Sequence, residues 1–167
     1  EMINKAPVTV KANNKNKTYG TGDPEFDATV TGTLNGDTVS YGFSREEGTD
    51  AGEYTITPSG AAEQGNYAVT YETGTLTIEK ATVIVKADDK SKVYGADEPE
   101  YTDTVTGLVG DDTVQYTFNR EDGENVGTYK ITPAGDAEQG NYDVVYQIGT
   151  LTITKAELIV KADNKIS

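Results

Sequence analysis

Carboxylates are the side chains in this sequence best supplied for chemistry, with 28 Asp and Glu against 14 Lys and Arg. Asp88-Asp89, Asp111-Asp112 and Glu121-Asp122 with Glu124 could offer the oxygen ligands that calcium takes. None of them lies in a D-x-D-x-D-G loop closed by a later Glu, and the first half of the chain has Asn13-Asn14 and Asn35-Gly36 where the second has acids. No metal ligand is therefore assigned. Glu46-Glu47 and Glu121-Asp122 are adjacent pairs whose side chains point apart on a strand or turn, which does not suit a sugar-cleaving pair. Eleven Tyr and no Trp provide aromatic faces, and Tyr19 or Tyr67 on loops could stack on a sugar beside Asp, Asn and Gln. Ten of the Tyr recur in matched pairs at core-facing or loop-plug positions, however, which is the pattern of packing.

Lys11 and Lys86, inside expected strands, could form an isopeptide bond to an Asn or Asp given a buried helper carboxylate. No such carboxylate is assignable, and a strand Lys ordinarily guards an edge. Asn16-Lys17-Thr18 fits a glycosylation sequon, but Ser91 stands at the matching position of the second half, so chance accounts for it. The sequence has no Cys and no His, so disulfides, thiolate sites and the commonest general base at neutral pH are missing. This points to a non-enzyme with no catalytic, cofactor-binding or metal residues and no cofactor.

A net charge of −14 spread over both halves argues against nucleic acid as a partner and reads as colloidal solubility. No run approaches the roughly 20 apolar residues that span a bilayer, so no membrane insertion is expected. The chain opens in mid-repeat, which suggests a piece of something longer.

Those residues are positioned by a repeat. Lys5-Ala6, Lys80-Ala81 and Lys155-Ala156 recur at one constant spacing, and more than half the positions of the two full copies are identical without a gap. A period this long gives each copy its own core, so an all-β chain of two tandem small domains in a rod-like arrangement is expected. The expected boundaries are 1–79, 80–154 and a truncated third copy at 155–167, whose unpaired edge could associate with a neighbouring molecule. Thr75–Ala87 joins the first two with no linker, and its apolar alternation slips phase at Lys80–Thr82 from Leu76 and Ile78 to Val83, Val85 and Ala87.

Within a copy, Val8–Ala12 reads as a strand, Asn13–Lys17 as a polar turn and Tyr19-Gly20 with Pro24 as a shaped loop with the Tyr as its plug. Phe26–Thr31, Val39–Ser44, Glu53–Pro58, Tyr67–Glu72 and Thr75–Ile78 read as further strands, with Pro58 stopping the third of these. Residues 60–66, GAAEQGN, are the one place suited to a helical turn.

Lys17-Thr18-Tyr19-Gly20 with Pro24, Gly32, Gly36-Asp37-Thr38, Gly52-Glu53-Tyr54, Asn66-Tyr67 and Gly74–Ile78 leading into Lys80-Ala81 form an ordered set. It recurs at Tyr94-Gly95, Pro99, Gly107, Gly127-Thr128-Tyr129, Asn141-Tyr142 and Gly149–Ile153, with Asp111-Asp112-Thr113 for the Gly-Asp-Thr. In this set the chain resembles the MBG domain of the YGX type, found in tandem in large bacterial cell-surface and adhesin-like proteins. The resemblance implies a small all-β domain, β-sandwich or β-grasp-like, in an extracellular stalk that projects a distal adhesive domain, its partners the adjacent repeats. A carbohydrate- or mucin-binding adhesion module, with host glycan or mucin as partner, is the alternative. No binding residues transfer with it.

Overall fold

The computed structural model describes residues 4–163; the opening Glu1–Ile3 and the last four residues of the expected third-copy segment lie outside the described residues. The chain divides into two compact units, Glu1–Ala81 and Thr82–Ser167. All regular structure among the described residues is β-strand.

Unit 1 has β1 (Ala6–Ala12), β2 (Lys15–Thr18), β3 (Ala28–Thr31), β4 (Gly42–Arg45), β5 (Gly52–Ser59), β6 (Glu63–Gln64), β7 (Tyr67–Glu72) and β8 (Gly74–Glu79). They form two four-stranded sheets in the orders β3-β1-β7-β6 and β2-β8-β5-β4. The second repeat gives β9 (Ala81–Ala87), β10 (Lys90–Val93), β11 (Asp103–Thr106), β12 (Thr117–Arg120), β13 (Gly127–Ala134), β14 (Glu138–Gln139), β15 (Tyr142–Gln147) and β16 (Gly149–Thr154). Their sheets, β11-β9-β15-β14 and β10-β16-β13-β12, copy the first pair.

The two sheets of a unit are stitched by one long parallel ladder. β1 pairs with β7 from Ala6↔Tyr67 to Lys11↔Glu72, and β2 pairs with β8 from Lys15↔Leu76 to Thr18↔Glu79. The register is the same in both, so two chain segments run side by side and bend together from one sheet into the other. At the bend the backbone ladder is patched by side chains: Asn14 Oδ1 accepts from Thr75 N at 2.8 Å, and Lys11 Nζ donates to Thr73 O at 3.0 Å. Asp89 and Lys86 repeat both contacts on Thr150 N and Ile148 O. Gly74 is required here because a Cβ would come within 2.5 Å of Ala12 O.

Alternation along the seam puts one face into the core. Val8, Val10, Tyr67 and Val69 bury one cluster, joined by the half-buried Val39 and Tyr41. Ala12, Ile56, Leu76 and Ile78 bury a second, joined by Tyr19, Phe26, Phe43 and Tyr54. Each fully buried Ile or Leu stabilises its unit by about 1.5–3 kcal/mol. The phase slip appears as expected: β8 buries Gly74, Leu76 and Ile78, β9 buries Ala81, Val83, Val85 and Ala87, and Lys80 alone separates the strands.

Several expectations need correction. The polar turn is confined to Asn13-Asn14, because Lys15–Thr18 is an edge strand whose Lys stems are half-buried along the sheet while their ammonium groups find acids. Pro58 does not stop β5. It sits opposite Phe43, past the point where the β8 ladder ends at Ile56↔Gly74, so only one neighbour remains and a missing N–H is tolerated. The EQG loop holds β6 rather than a helical turn, since Gly65 at φ 53° turns Gln64 directly back onto Tyr67. The expected strand at Val39–Ser44 begins only at Gly42.

Gly149 faces the same crowding as Gly74, with a Cβ 2.6 Å from Ala87 O. Gly149→Ala is therefore expected to cost unit 2 at least about 2 kcal/mol, through forced separation of the seam. Amide hydrogen exchange of the purified chain would show β15 and β16 losing protection while β7 and β8 keep theirs.

Candidate functional site

Three polar constellations recur in both repeats, each built where loops must be held against a sheet edge. In the first, β4 ends on Arg45, whose Nε and Nη2 donate to the two Asp23 oxygens at 2.7 and 3.1 Å. Its Nη1 donates to Glu46 O and Gly48 O at 2.8 and 2.9 Å, and the guanidinium lies 5.4 Å from the Tyr54 ring centroid. Planar delocalised charge suits both the fork and the stacking. Lys17 Nζ adds a 2.8 Å pair to Asp23, so the Tyr19–Pro24 loop and the Arg45–Gly52 loop are tied through one carboxylate.

The second repeat enlarges this network. Arg120 Nη2 reaches Glu98 and Glu124, both at 2.6 Å, Lys92 Nζ reaches the same two acids, both at 3.0 Å, and Tyr101 donates its hydroxyl to Glu98. Arg120 again stacks on an aromatic ring, that of Tyr129 at 5.2 Å. The position equivalent to Glu124 is Thr49 in unit 1, so the fourth charge belongs to unit 2 alone. Hydrogen bonds from Arg120, then Tyr101, hold the Glu98 carboxyl at about 2, and Arg45 followed by Lys17 lowers Asp23.

The second constellation is a lock on the turn after Gly32. Tyr67 is 6% exposed; its hydroxyl accepts from Leu34 N at 3.0 Å and donates to Asp37 Oδ2 at 2.5 Å. That bond to Asp37 pushes the Tyr67 phenol up from its ordinary value. Tyr142 repeats the lock with Val109 N and Asp112. In the third, the Gln64 amide mimics a strand: Oε1 accepts from Ser40 N and Nε2 donates to Ser40 O, both at 2.7 Å, while Nε2 also meets Tyr71 Oη. This pairing explains the short β4, because Ser40 finds its partner in a side chain rather than in a backbone ladder. Gln139 does the same for Gln115.

These networks absorb most of the residues singled out above. Asp88 accepts from Thr102 and Thr104, Asp89 from Thr150 N, Asp112 from Tyr142 and Glu121 from Lys130 N, while Glu124 pairs with Lys92 and Arg120. Among the described residues no three acidic side chains gather where they could hold a metal ion. Glu46 accepts from Thr55 N, which lowers its carboxyl, rather than facing a partner acid. Tyr67 is a buried lock and not an exposed sugar platform. Tyr19 is half-buried on the second cluster of unit 1, whereas Tyr94, its counterpart, is 51% exposed. The Lys11 and Lys86 ammonium groups cap seam carbonyls, and Asn16 is exposed on β2. Sequence reasoning missed Arg45, Arg120, Gln64 and Gln139; the available signal was their identity at matching positions of the two copies.

Chemically, the shifted groups sit away from neutrality: Glu98, Asp23, Asp27, Asp88 and Glu46 are lowered, and burial followed by a bond to Asp103 pushes Tyr116 up to about 12. This is the opposite of tuning a general acid or base toward pH 7. A polar cleft of about 550 Å³ opens beside the unit 1 lock, lined by Gly36–Thr38 and Gln64–Tyr67.

Two outcomes follow from these bonds. Tyr67→Phe removes the hydroxyl that serves Leu34 and Asp37 and is expected to destabilise unit 1 by about 1–2 kcal/mol, read by chemical denaturation with amide exchange at residues 33–38. Glu98, lowered from 4.5 to about 2, stabilises the fold fully above pH 4.5, and that contribution disappears as pH falls through about 2. Its side chain is 40% exposed, so solvent screens part of the effect; Glu98→Gln is expected to cost about 1–2 kcal/mol at pH 7 and to match the parent chain once both are below pH 2.

The chain matches the MBG domain (YGX type) family over residues 8–77 and 83–152. No curated protein sequence matches it. The two matches span β1 to β8 and β9 to β16 within a residue or two, and the chain belongs to the MBG domain (YGX type) family as two tandem repeats.

Proposed function

We propose that the two repeats are non-catalytic spacer modules of a bacterial cell-surface protein, carrying tension along the chain while a distal adhesive domain makes contact with its partner. Membership of a tandem repeat family agrees with a surface-protein repeat module. The observation that carries the reading is the direction of the seam. Its two segments are the first and last of the repeat and run parallel, with Ala6 paired to Tyr67 at one end and Thr18 to Glu79 at the other. Tension applied at Ala6 and Glu79 therefore pulls from opposite ends of the ladder. The segments are sheared past each other, and the hydrogen bonds share the load instead of opening one at a time. The Asn14 and Lys11 contacts keep the ladder continuous across the bend.

The polar cleft beside Asp37 and Asn66 favours a second reading, recognition of a hydroxyl-rich host glycan or mucin by the domain itself. A glycan array on the chain separates the two: reproducible binding lost in Asn66→Ala would support recognition.

Single-molecule pulling tests the spacer. Unit 1 held at residues 6 and 79 is expected to resist several-fold more force than when held at 18 and 79, which would unzip the seam from one end. Equal forces in the two geometries would overturn the reading.

A further inference from the structure

The two repeats differ most consistently on the outward face of one sheet, β11-β9-β15-β14 in unit 2 and β3-β1-β7-β6 in unit 1. The buried positions of β9 and β15 are identical to those of β1 and β7, from Val83 for Val8 to Tyr142 for Tyr67. Outward, Thr9 and Thr70 become Ile84 and Val145, Glu72 becomes Gln147, and Ala68 becomes Asp143, while Lys11 stays as Lys86. Thr9 and Thr70 are ladder partners in unit 1, so in the same register Ile84 lies beside Val145, with Thr106 on its other side. Val145 is 45% exposed. The sheet lacks no strand, since β9 and β15 each lie between two neighbours. Unit 1, which a whole repeat follows in the chain, also exposes Thr70 and Glu72 on this face.

The substitutions split the charge. In unit 1 Lys11 stands across the ladder from Glu72. In unit 2 Gln147 takes that place; the Lys86 ammonium donates to Ile148 O at 3.3 Å, and the neighbouring Asp88 is engaged by Thr102 and Thr104. Asp143 lies at the other end of the face, directly opposite Glu138, where like charges repel. Two residues of strand span about 7 Å, so Lys86 and Asp143 stand about 14 Å apart with Ile84 and Val145 midway, too far to meet within one chain.

We infer that this face of unit 2 pairs with the same face of a second copy of the chain, about a two-fold axis lying between them. The axis crosses the strands at Ile84 and Val145, so these residues stack on their own copies and Lys86 of each chain comes over Asp143 of the other. Charge selects the partner: a strip that runs from acid through apolar to base is its own complement when reversed. Unit 1 has no such strip, because Lys11 and Glu72 share one end and the centre is threonine. Four strands about 4.8 Å apart and at most about 20 Å long make a face of at most about 400 Å², so a pair buries at most about 800 Å², the size of weak and transient contacts. Pairing is therefore expected as the chain approaches about 0.1–1 mM.

Sedimentation of the whole chain from about 10 µM to about 1 mM, in about 0.15 M salt to screen the repulsion of two acidic chains, should give an average mass rising toward twice the monomer and no further. Over the same range the methyl signals of Ile84 and Val145 should shift while those of Val8 and Val10 stay fixed. Ile84→Thr with Val145→Thr, the residues unit 1 itself carries, should weaken pairing at least about tenfold. Asp143→Lys should weaken it about as much, and adding Lys86→Glu to that variant, which reverses both charges, should restore it. A chain that stays monomeric at about 1 mM overturns the proposal, as does a mass that climbs past two copies. So does pairing that persists undiminished in the threonine variant or in Asp143→Lys, which would place the contact elsewhere on the chain.

Discussion

Parallel pairing between the opening and closing segments of a repeat is the constraint from which each unit is built. Parallel strands cannot be joined by a tight turn, so the chain between them must travel away and return. It does so as β3 to β6, which add β3 and β6 as the edges of one sheet and β5 and β4 to one side of the other, and lay Ile56 and Phe43 under the seam. The bend that carries the seam from one sheet to the other is also what closes the core, because it lets one continuous pair of segments contribute to both clusters. Gly74 and Gly149 permit the bend, and Asn14 and Asp89 supply the ladder bond that the bend would otherwise cost.

The polar residues serve that scaffold in the same way twice. Arg45 and Arg120 fasten the loop after the first segment to the loop entering the central antiparallel strand; Tyr67 and Tyr142 fasten the turn after Gly32 and Gly107; Gln64 and Gln139 hold the approach to β4 and β12. Buried polar side-chain atoms without a partner are absent among the described residues. Where the repeats differ, charge differs most: one carboxylate between two cations in unit 1 becomes two carboxylates between two cations in unit 2, which places more of unit 2's stability under control of pH and salt.

Much of this architecture was legible in local pattern. Period-two alternation at Val8–Ala12, Tyr54–Ile56 and Leu76–Ile78 marks core strands because a pleated strand must point successive side chains to opposite faces, and the evenly spaced Lys-Ala pairs mark the repeat. The slip between Ile78 and Val83 was visible for the same reason. β2 was not legible: Lys-Asn-Lys-Thr has no apolar face, and it becomes a strand only because β8, at the far end of the repeat, offers it a partner. The three constellations were hidden likewise, since Arg45 and Asp23, Tyr67 and Asp37, and Gln64 and Ser40 meet across distances in sequence that composition and spacing do not connect. Tyr67, at the start of an expected strand, also offered itself as a loop aromatic for a sugar; it opens a central strand and points inward. Pro58 looked like a stop because its tolerance depends on where a neighbouring ladder ends.

Native-state hydrogen exchange on the intact chain tests the seam most directly. If parallel pairing governs each repeat, the amides that donate across the seam, Val8, Val10, Ala68, Thr70 and Thr77, exchange only through global unfolding of unit 1, whereas β3, β4 and β6 at the sheet edges open by smaller fluctuations. Seam amides that exchange as readily as those edges, with β5 alone resisting to the end, would contradict the account.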